Sequence, residues 1–459
     1  MEKKANVSHT NLVEKTTYGT YFLGQNIFFS LFASFFIPFL TDIGIAVFAI
    51  AALSLIVRIF DAATDPVFGV IIDKVKFRKG KFGPWLRVAA FAVPFTTVLF
   101  FVIPADLSMT AKILWAGAAY ILWSVVYTFS DAPLMGLVTT VTDRLAERTQ
   151  LVSIGRFTSA LAGILVMVVI GAAREVFGGW IAVALILSAI GFITMVPLSY
   201  VIRERFPPPP LEKSSGVRDT LAFVAKNKYL LILYVAFFIA MATSIGMTLT
   251  MYLARHNLGN EAMLMPVMLL SMTGPMIILS ILLPALTQRF DKFHILLVGV
   301  IGTVVLNVIS FFAGYTIPWV FYSLTLLRGV FFSMFFLPFF LFTPDCAEYG
   351  FYKAGKAMPG ITFALQTFIS KLMVAVMGAI GAVALGVIGF VEGEGAAQLA
   401  GFEDRLWFIY LIPPAIGALV SIPIFLKYKL RDKHVKVIMQ CNQGEITREE
   451  AEKLLAGKI

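Results

Sequence analysis

The chain has 459 residues, of which 59% are hydrophobic and only 14% are charged, and its formal net charge is +10. Soluble domains contain roughly 45–50% apolar and about 25% charged residues, so this composition excludes a soluble globular protein. A net positive charge can indicate nucleic-acid binding, but here the positions of the basic residues indicate a membrane orientation, and we expect no nucleic-acid partner.

Apolar stretches of about 20 residues recur along nearly the whole chain, and each can cross a hydrocarbon layer of roughly 30 Å as a helix. In chain order, the predicted helices cover residues 17–41, 45–72, 87–105, 112–141, 151–173, 179–202, 229–253, 264–287, 295–316, 318–344, 360–390 and 406–427. The polar stretch before Tyr18 has no apolar core or cleavage site, so we expect no removable signal peptide. The sequence predicts an all-α membrane protein with twelve transmembrane helices.

The basic residues lie in alternate loops. The loop after the second predicted helix contains Lys74, Lys76, Arg78, Lys79, Lys81 and Arg87. The opposite loops are acidic or neutral, as in the run from Glu392 to Asp404. The positive-inside rule then places both termini in the cytoplasm, which requires an even number of helices, and we expect a multi-pass protein of the inner membrane.

One polar connection, residues 203–228, separates six predicted helices from the next six and contains four consecutive prolines, Pro207 to Pro210. Such a segment cannot span a membrane and is typical of a linker. We therefore predict an N-terminal half over 1–202, a cytoplasmic linker over 203–228, a C-terminal half over 229–428 and a cytoplasmic tail over 429–459. Two six-helix halves are the plan of the major-facilitator fold.

The second predicted helix carries oxygen-bearing side chains at membrane depth. Asp61, Thr64 and Asp65 are spaced i, i+3 and i+4, so they share one helical face. Pro66 frees the carbonyl of Ala62 as a further ligand. This oxygen set suits a hard cation such as Na⁺. If no metal binds, the crowded carboxylates favour a proton.

Arg58, one turn before Asp61, supports a different interpretation of this cluster. Arg58 and another base could simply neutralise structural aspartates, which leaves no cation site. A single arginine balances only one of the two carboxylates, so the cation interpretation is the one we carry forward.

The fourth predicted helix contains a second polar turn. Thr128 and Asp131 share a face, and Pro133 again loosens the backbone. Arg156, on the fifth predicted helix, is the expected counter-charge of Asp131. A carboxylate and a guanidinium can together bind several sugar hydroxyls, since one accepts hydrogen bonds and the other donates them. The alternative is a purely structural ion pair between the two helices.

The remaining polar groups at membrane depth are few. Lys371 either faces a cavity or snorkels to the cytoplasmic end of its helix, and Arg328 either faces a cavity or lies close to an interface. Gln25 and Asn26 on the first helix could hydrogen-bond a ligand or a neighbouring helix. We find no nucleotide-binding, metalloprotease or redox motif, so the paired carboxylates favour transport over an enzymatic reaction.

At these residues the chain resembles the glycoside–pentoside–hexuronide:cation symporter family of the major facilitator superfamily. The segments that carry the resemblance are residues 58–66, 80–85, 127–133 with Arg156, 345–350, and 366–371. The resemblance implies cation ligation by Asp61, Asp65 and Thr128, with Thr64 where many members have Asn. It implies sugar contacts by Asp131 and Arg156.

The resemblance extends the substrate site to further positions. The expected substrate-binding residues are Gln25, Asn26, Tyr127, Asp131, Met135, Arg156, Phe336 and Lys371. Gln25 and Asn26 occupy the place of a Lys-Asp pair, while Met135 and Phe336 occupy the places of tryptophans that stack on sugar. These departures disfavour melibiose as the substrate.

The sequence thus predicts a secondary active transporter, a symporter of a sugar or glycoside with Na⁺, Li⁺ or H⁺, working by alternating access and needing no cofactor. Its expected partners are the small-molecule sugar, a monovalent cation and membrane lipids, and we expect a monomer. The alternatives are a transporter of a uronide or a lysophospholipid, or a membrane sensor without transport activity.

Overall fold

The computed structural model describes residues 10–75, 77, 80–142, 145–177, 179–206, 224–355, 359–393 and 395–455. Within these ranges the regular structure is helical, and no strand is present. The main α-helices of the first half, apart from the short helical turns Leu198–Val201 and, in the second half, Leu264–Met268, are α1 Leu12–Asp42, α2 Val47–Lys74, α3 Gly83–Phe101, α4 Met109–Val141, α5 Leu145–Phe177 and α6 Trp180–Met195. Those of the second half are α7 Lys228–Ala242, α8 Gly246–Tyr252, α9 Gly274–Arg289, α10 Lys292–Ala313, α11 Pro318–Ala354, α12 Pro359–Val387 and α13 Phe402–Leu426. Two helices follow, α14 Asp432–Asn442 and α15 Arg448–Leu455.

Ten helices in the described part of the chain are long and apolar enough to cross a membrane. They confirm an all-helical, multi-pass membrane protein. The predicted second and seventh helices are not among the ten: the second is present as α2, and the seventh is interrupted.

The interruption falls inside the predicted helix 229–253, where α7 ends at Ala242 and α8 begins at Gly246. A continuous helix here was therefore a wrong expectation. The hydroxyls of Thr243 and Ser244 both donate to the carbonyl of Ala240, at 3.0 and 2.9 Å. Such local bonds bend helices and compete with the regular backbone pattern.

Two other predicted helices also differ from the structure. The predicted helix 264–287 contains a π-helical turn, Leu269–Thr273, before α9. The predicted helix 318–344 continues as α11 to Ala354, where Gly355 in the left-handed region (φ 69°) ends it. The hydrophobic pattern missed this extension because its last turns carry polar residues, Asp345 and Glu348, which pair with Lys292 and Asn442.

Side-chain caps explain where several helices begin. Asn11 and Glu14 form a capping box at the start of α1. The side chain of Asp291 accepts from the backbone of Phe293 at the start of α10. The carboxylate of Glu204 accepts from the backbone N–H groups of three residues that open α3, Lys81, Phe82 and Gly83, at 2.8–2.9 Å.

The chain forms two compact units. Unit 1 comprises Met1–Leu211 with Val391–Ala397, and unit 2 comprises Glu212–Phe390 with Gln398–Ile459. The predicted linker lies mostly outside the described residues, which resume at 224. Its first residues pack on unit 1, where Arg205 pairs with the buried Glu14 at 2.8 Å.

Aromatic side chains fill the interior of unit 1. Phe32 of α1 stacks on Trp123 of α4 with ring centroids 4.0 Å apart, and the Trp123 indole donates to Thr97 of α3 at 3.1 Å. Small residues allow the helices to approach closely. A side chain at Gly155 of α5 would meet the ring of Phe22 of α1 at 2.9 Å.

The interior of unit 2 continues into the segment predicted as a tail. Phe237 and Phe339 stack with centroids 3.9 Å apart, and the same buried cluster includes Val435 and Ile438 of α14 and Leu455 of α15. Residues 432–455 are therefore a packed part of unit 2.

Candidate cation and substrate site

Asp61 lies in the middle of α2, about 21 Å along the helix from Val47. It is 9% exposed. One carboxylate oxygen, Oδ2, is 3.5 Å from Nη1 of Arg58, one turn earlier on the same helix. The other, Oδ1, accepts a hydrogen bond from the hydroxyl of Ser124 on α4. The arginine predicted as a possible neutralising base does contact Asp61, and a serine from a second helix shares the carboxylate with it.

A polar stripe runs along α4. Ser124, Thr128, Asp131 and Met135 are spaced i, i+4, i+7 and i+11, so they share one face. The Thr128 hydroxyl donates to the backbone carbonyl of Ser124 at 3.1 Å. The stripe brings the carboxylate held on α2 and the carboxylate of Asp131 to the same side of α4. Ser124 contacts Asp61 through its side chain and Thr128 through its backbone, and the ligand roles of Asp61 and Thr128 stay predictions.

Asp131 is half-buried and accepts a hydrogen bond from the amide of Gln25 on α1 at 3.3 Å. Gln25 is 1% exposed, so the amide is held in the interior. The adjacent Ser130 donates to Tyr21, whose hydroxyl donates to the carbonyl of Leu86 on α3. These bonds join α4 to α1 and α3 beside Asp131.

Three further predicted substrate residues lie on the same helices. Asn26 is half-buried, and its amide donates to the carbonyl of Phe22 one turn earlier, at 2.9 Å. Met135 is 44% exposed on unit 1. The ring of Tyr127 stacks on Trp123 at 4.9 Å, which gives the Asp131 region an aromatic neighbour.

For three predicted site residues the structure describes the helix but not the side chain. Thr64 and Asp65 lie in α2, and Arg156 lies in α5, but their side chains are outside the described part of the structure. The pairing of Arg156 with Asp131 and the ligand roles of Thr64 and Asp65 stay predictions.

The candidates of the second half lie within unit 2. Phe336 of α11 is half-buried and stacks on Phe332 at 5.8 Å. Lys371 is half-buried in α12. Arg328 of α11 lies over the ring of Tyr410, with its guanidinium carbon 5.0 Å from the centroid. Arg328 thus packs against an aromatic ring of α13.

Sequence reasoning missed Ser124. Single serines are common in apolar helices, and the residue type alone does not distinguish a functional serine from one that only packs. The sequence did contain one indication: Ser124 lies one turn before Thr128, on the face of the helix that also carries Asp131. The contact with Asp61 also requires that α2 and α4 pack side by side, which the one-dimensional sequence does not reveal.

Comparison with known proteins places these observations in a family. The family model described as "MFS/sugar transport protein" matches residues 17–432, which include every predicted site residue. An uncharacterized symporter of Bacillus subtilis (strain 168), YjmB, is 27% identical over 94% of this chain and 96% of its own length. The isoprimeverose transporter of Lactiplantibacillus pentosus is 24% identical over 96% of this chain and 94% of its own length.

The fold is also similar to that of solved transporters. A mutant of the nucleoside transporter NupG superposes with a TM-score of 0.66 at 12% identity, covering 90% of this chain and 100% of that chain. At this low identity the likeness concerns the fold alone.

Proposed function

This chain belongs to the MFS/sugar transport protein family, and from that premise we propose that it is a cation-coupled symporter of a sugar or glycoside. Its relatives are transporters, so it is a membrane transport protein and not an enzyme. The proposal adds the coupling cation, alternating access, a bacterial inner-membrane location and both termini in the cytoplasm.

The observation that carries the proposal is the arrangement of two carboxylates against one face of α4. Asp61 is held there by Ser124, and Asp131 lies two turns further along the same face. An ionisable group at membrane depth is costly unless it is paired, hydrated or bound to a ligand, and such groups mark ion and substrate pathways. Asp61 with Thr128 supplies cation ligands, and Asp131 accepts hydrogen bonds from sugar hydroxyls.

We propose twelve membrane spans. The ten long apolar helices are joined by α2 and by the interrupted segment from Lys228 to Tyr252. The charged side chains of Arg58 and Asp61 in the middle of α2 lower the mean hydropathy of this helix. The proposed cation site depends on the same charged residues. Interrupted helices are frequent in transporters where the backbone lines a cavity.

The proposed substrate class is supported by the functions of similar proteins. They include the isoprimeverose transporter and the lactose permease of Leuconostoc lactis, so we propose a sugar or glycoside. Lys371 lies about 18 Å along α12 from Pro359, which favours a place within the bilayer over snorkelling to the helix start. With Arg156 it would add cationic donors for sugar hydroxyls.

In the proposed cycle, Na⁺, Li⁺ or H⁺ binds first between α2 and α4 and cancels carboxylate charge. The sugar then binds at Asp131 with higher affinity, because the cation and the sugar are thermodynamically linked. The loaded protein changes access from one side of the membrane to the other and releases both solutes. An empty or fully loaded protein reorients readily; a protein holding only one solute does not.

The test is counterflow in proteoliposomes that contain the purified protein. The panel holds isoprimeverose, lactose, a glucuronide and a lysophospholipid, each with Na⁺, with Li⁺ or with K⁺ at the same ionic strength. We expect exchange of at least one glycoside, faster in Na⁺ or Li⁺ than in K⁺, or driven by a proton gradient. Exchange of only the lysophospholipid, or no exchange of any solute, would contradict sugar symport.

A further inference from the structure

The carboxylate of Asp61 contacts side chains of two different helices. Oδ2 is 3.5 Å from the Arg58 guanidinium on α2, and Oδ1 accepts the hydroxyl of Ser124 on α4. Ser124 is 6% exposed and Asp61 9%, so water competes weakly for this hydrogen bond. The serine hydroxyl therefore joins the carboxylate to the helix that also carries Thr128 and Asp131.

The guanidinium of Arg58 competes with any cation for Asp61. An arginine can bind both oxygens of a carboxylate through two parallel hydrogen bonds. This geometry would neutralise most of the carboxylate charge and so weaken the binding of another cation. In the structure the Ser124 hydroxyl donates to Oδ1, and Nη1 of Arg58 lies 3.5 Å from Oδ2, which is longer than a hydrogen bond between charged groups usually is. Ser124 thus opposes a rotation of the carboxylate into Arg58.

The same turn of α4 supplies a second oxygen. The Thr128 hydroxyl donates its hydrogen to the carbonyl of Ser124, and a hydroxyl that donates its hydrogen keeps its lone pairs as acceptor sites. Ser124 therefore contacts two of the predicted cation ligands, Asp61 through its side chain and Thr128 through its backbone. A ligand set held in place before binding loses less conformational freedom when the cation arrives.

We propose that Ser124 is a positioning residue of the cation site, which holds the Asp61 carboxylate toward α4 and away from Arg58 and so determines the cation affinity. This inference rests on the proposed cation coupling. Ser124 acts through Asp61 and does not touch the sugar, so it changes the cation concentration that the protein needs and leaves the sugar site intact.

The experiment measures binding of a transported sugar to the purified full-length protein while Na⁺ (or Li⁺, whichever stimulates the wild type) is titrated at constant ionic strength. Ser124→Ala removes the hydroxyl, and Ser124→Thr keeps it. Ser188→Ala is the matched control, because Ser188 is also 6% exposed and also donates to a neighbouring helix, at the carbonyl of Pro94. Thermal unfolding of each variant shows that it is folded.

Removing a hydrogen bond to a charged group changes an equilibrium by about tenfold to a hundredfold. We expect Ser124→Ala to need at least about tenfold more cation for half-maximal sugar binding, with the sugar Kd at saturating cation within about threefold of wild type. Ser124→Thr and Ser188→Ala should titrate like wild type. A merely structural role would instead lower the unfolding temperature without a selective shift in the cation midpoint.

Each other outcome identifies which proposal fails. If the wild type responds to the cation and Ser124→Ala has the same midpoint, the role of Ser124 is wrong while cation coupling stands. A Ser124→Thr midpoint shifted as far as that of Ser124→Ala would show that side-chain size, not the hydroxyl, matters. If no cation alters sugar binding by the wild type, both proposals are wrong. Should Ser124→Ala not fold, Ser124→Gly is the second hydroxyl-free variant.

Discussion

At the scale of single residues, Asp61 is the group whose position most needs a functional reason. It is a carboxylate in the middle of α2, and Nη1 of Arg58, one turn earlier on the same helix, lies 3.5 Å from its Oδ2. A purely structural salt bridge would gain more from a bidentate contact. Ser124 of α4 holds one oxygen of the Asp61 carboxylate away from Arg58. This arrangement makes it easier for a cation to replace Arg58 as the partner of Asp61.

Asp61→Asn should abolish cation stimulation of sugar uptake, because the amide has the carboxylate's shape without its charge. The measurement is initial-rate uptake in vesicles with and without Na⁺ or Li⁺. Asp42→Asn is the control: Asp42 is also a buried carboxylate, but it accepts from the indole of Trp180 near the end of α1. Full cation stimulation in Asp61→Asn would remove Asp61 from the site.

Asp131 should act on the sugar and not on the cation. Asp131→Asn keeps the contact with Gln25 sterically possible but weakens acceptance of hydrogen bonds from sugar hydroxyls. We expect a sugar Kd raised by about tenfold to a hundredfold at saturating cation, since hydrogen bonds to charged groups contribute that much. Calorimetry of sugar binding measures it, and cation binding by the same variant should persist. An unchanged sugar Kd would show that Asp131 is structural.

At the scale of elements, α5 offers a matched pair of glycines that tests the packing of unit 1. A Cβ at Gly155 would lie 2.9–3.1 Å from the ring of Phe22, whereas at Gly163 the nearest atom, in Ser30, is 3.9 Å away. Overpacking typically costs about 1–3 kcal/mol, and alanine is favoured over glycine in a helix by about 1 kcal/mol. Gly155→Ala should therefore lower the unfolding temperature, while Gly163→Ala should keep or raise it. Equal effects of the two would contradict the close approach of α1 and α5.

The last two helices are held by charges as well as by apolar packing. Lys292 at the start of α10 lies 2.5 Å from Asp345 of α11 and 3.1 Å from Asp432 of α14. Asn442 donates to Glu348 at 2.7 Å, which adds a second polar contact between α14 and α11.

Lys292→Gln should loosen this docking, because it leaves the largely buried Asp345 without its cation, and breaking one side of a buried pair costs about 3–5 kcal/mol. Limited trypsin digestion should then cut residues 429–455 faster than in wild type. Glu452→Gln is the control, since its pair with Arg448 is exposed on both sides and contributes little, and the change leaves every trypsin site in place. Unchanged digestion of Lys292→Gln would show that apolar packing alone holds the segment.

At the scale of the whole molecule, hydropathy was sufficient to predict an all-helical membrane protein, because long apolar runs have few other structural solutions. The helix boundaries predicted from hydropathy were wrong where local hydrogen bonds determine where a helix ends. Thr243 and Ser244 interrupt a run that is mostly apolar, and the polar end of α11 extends beyond its hydrophobic part. The packing of the last two helices was also beyond prediction, since it depends on partners distant in sequence.

The site could be predicted where spacing along one helix carries the information. The face shared by Thr128 and Asp131 and the contact of Arg58 with Asp61 follow from such spacing. Contacts between helices did not follow: Ser124 with Asp61, and Gln25 with Asp131, require knowledge of which helices are neighbours. The family resemblance supplied the substrate class, which no single contact in the structure specifies.

The central claim, that a cation and a sugar bind one coupled site, is tested most directly by calorimetry of both solutes on the purified protein. Linkage requires that the factor by which the cation raises sugar affinity equals the factor by which the sugar raises cation affinity. We expect equal factors of about 5-fold to 150-fold in wild type, the usual range of such coupling, and a factor near one in Asp61→Asn. A wild-type sugar Kd that is the same at zero and saturating Na⁺, Li⁺ and H⁺ would contradict the account.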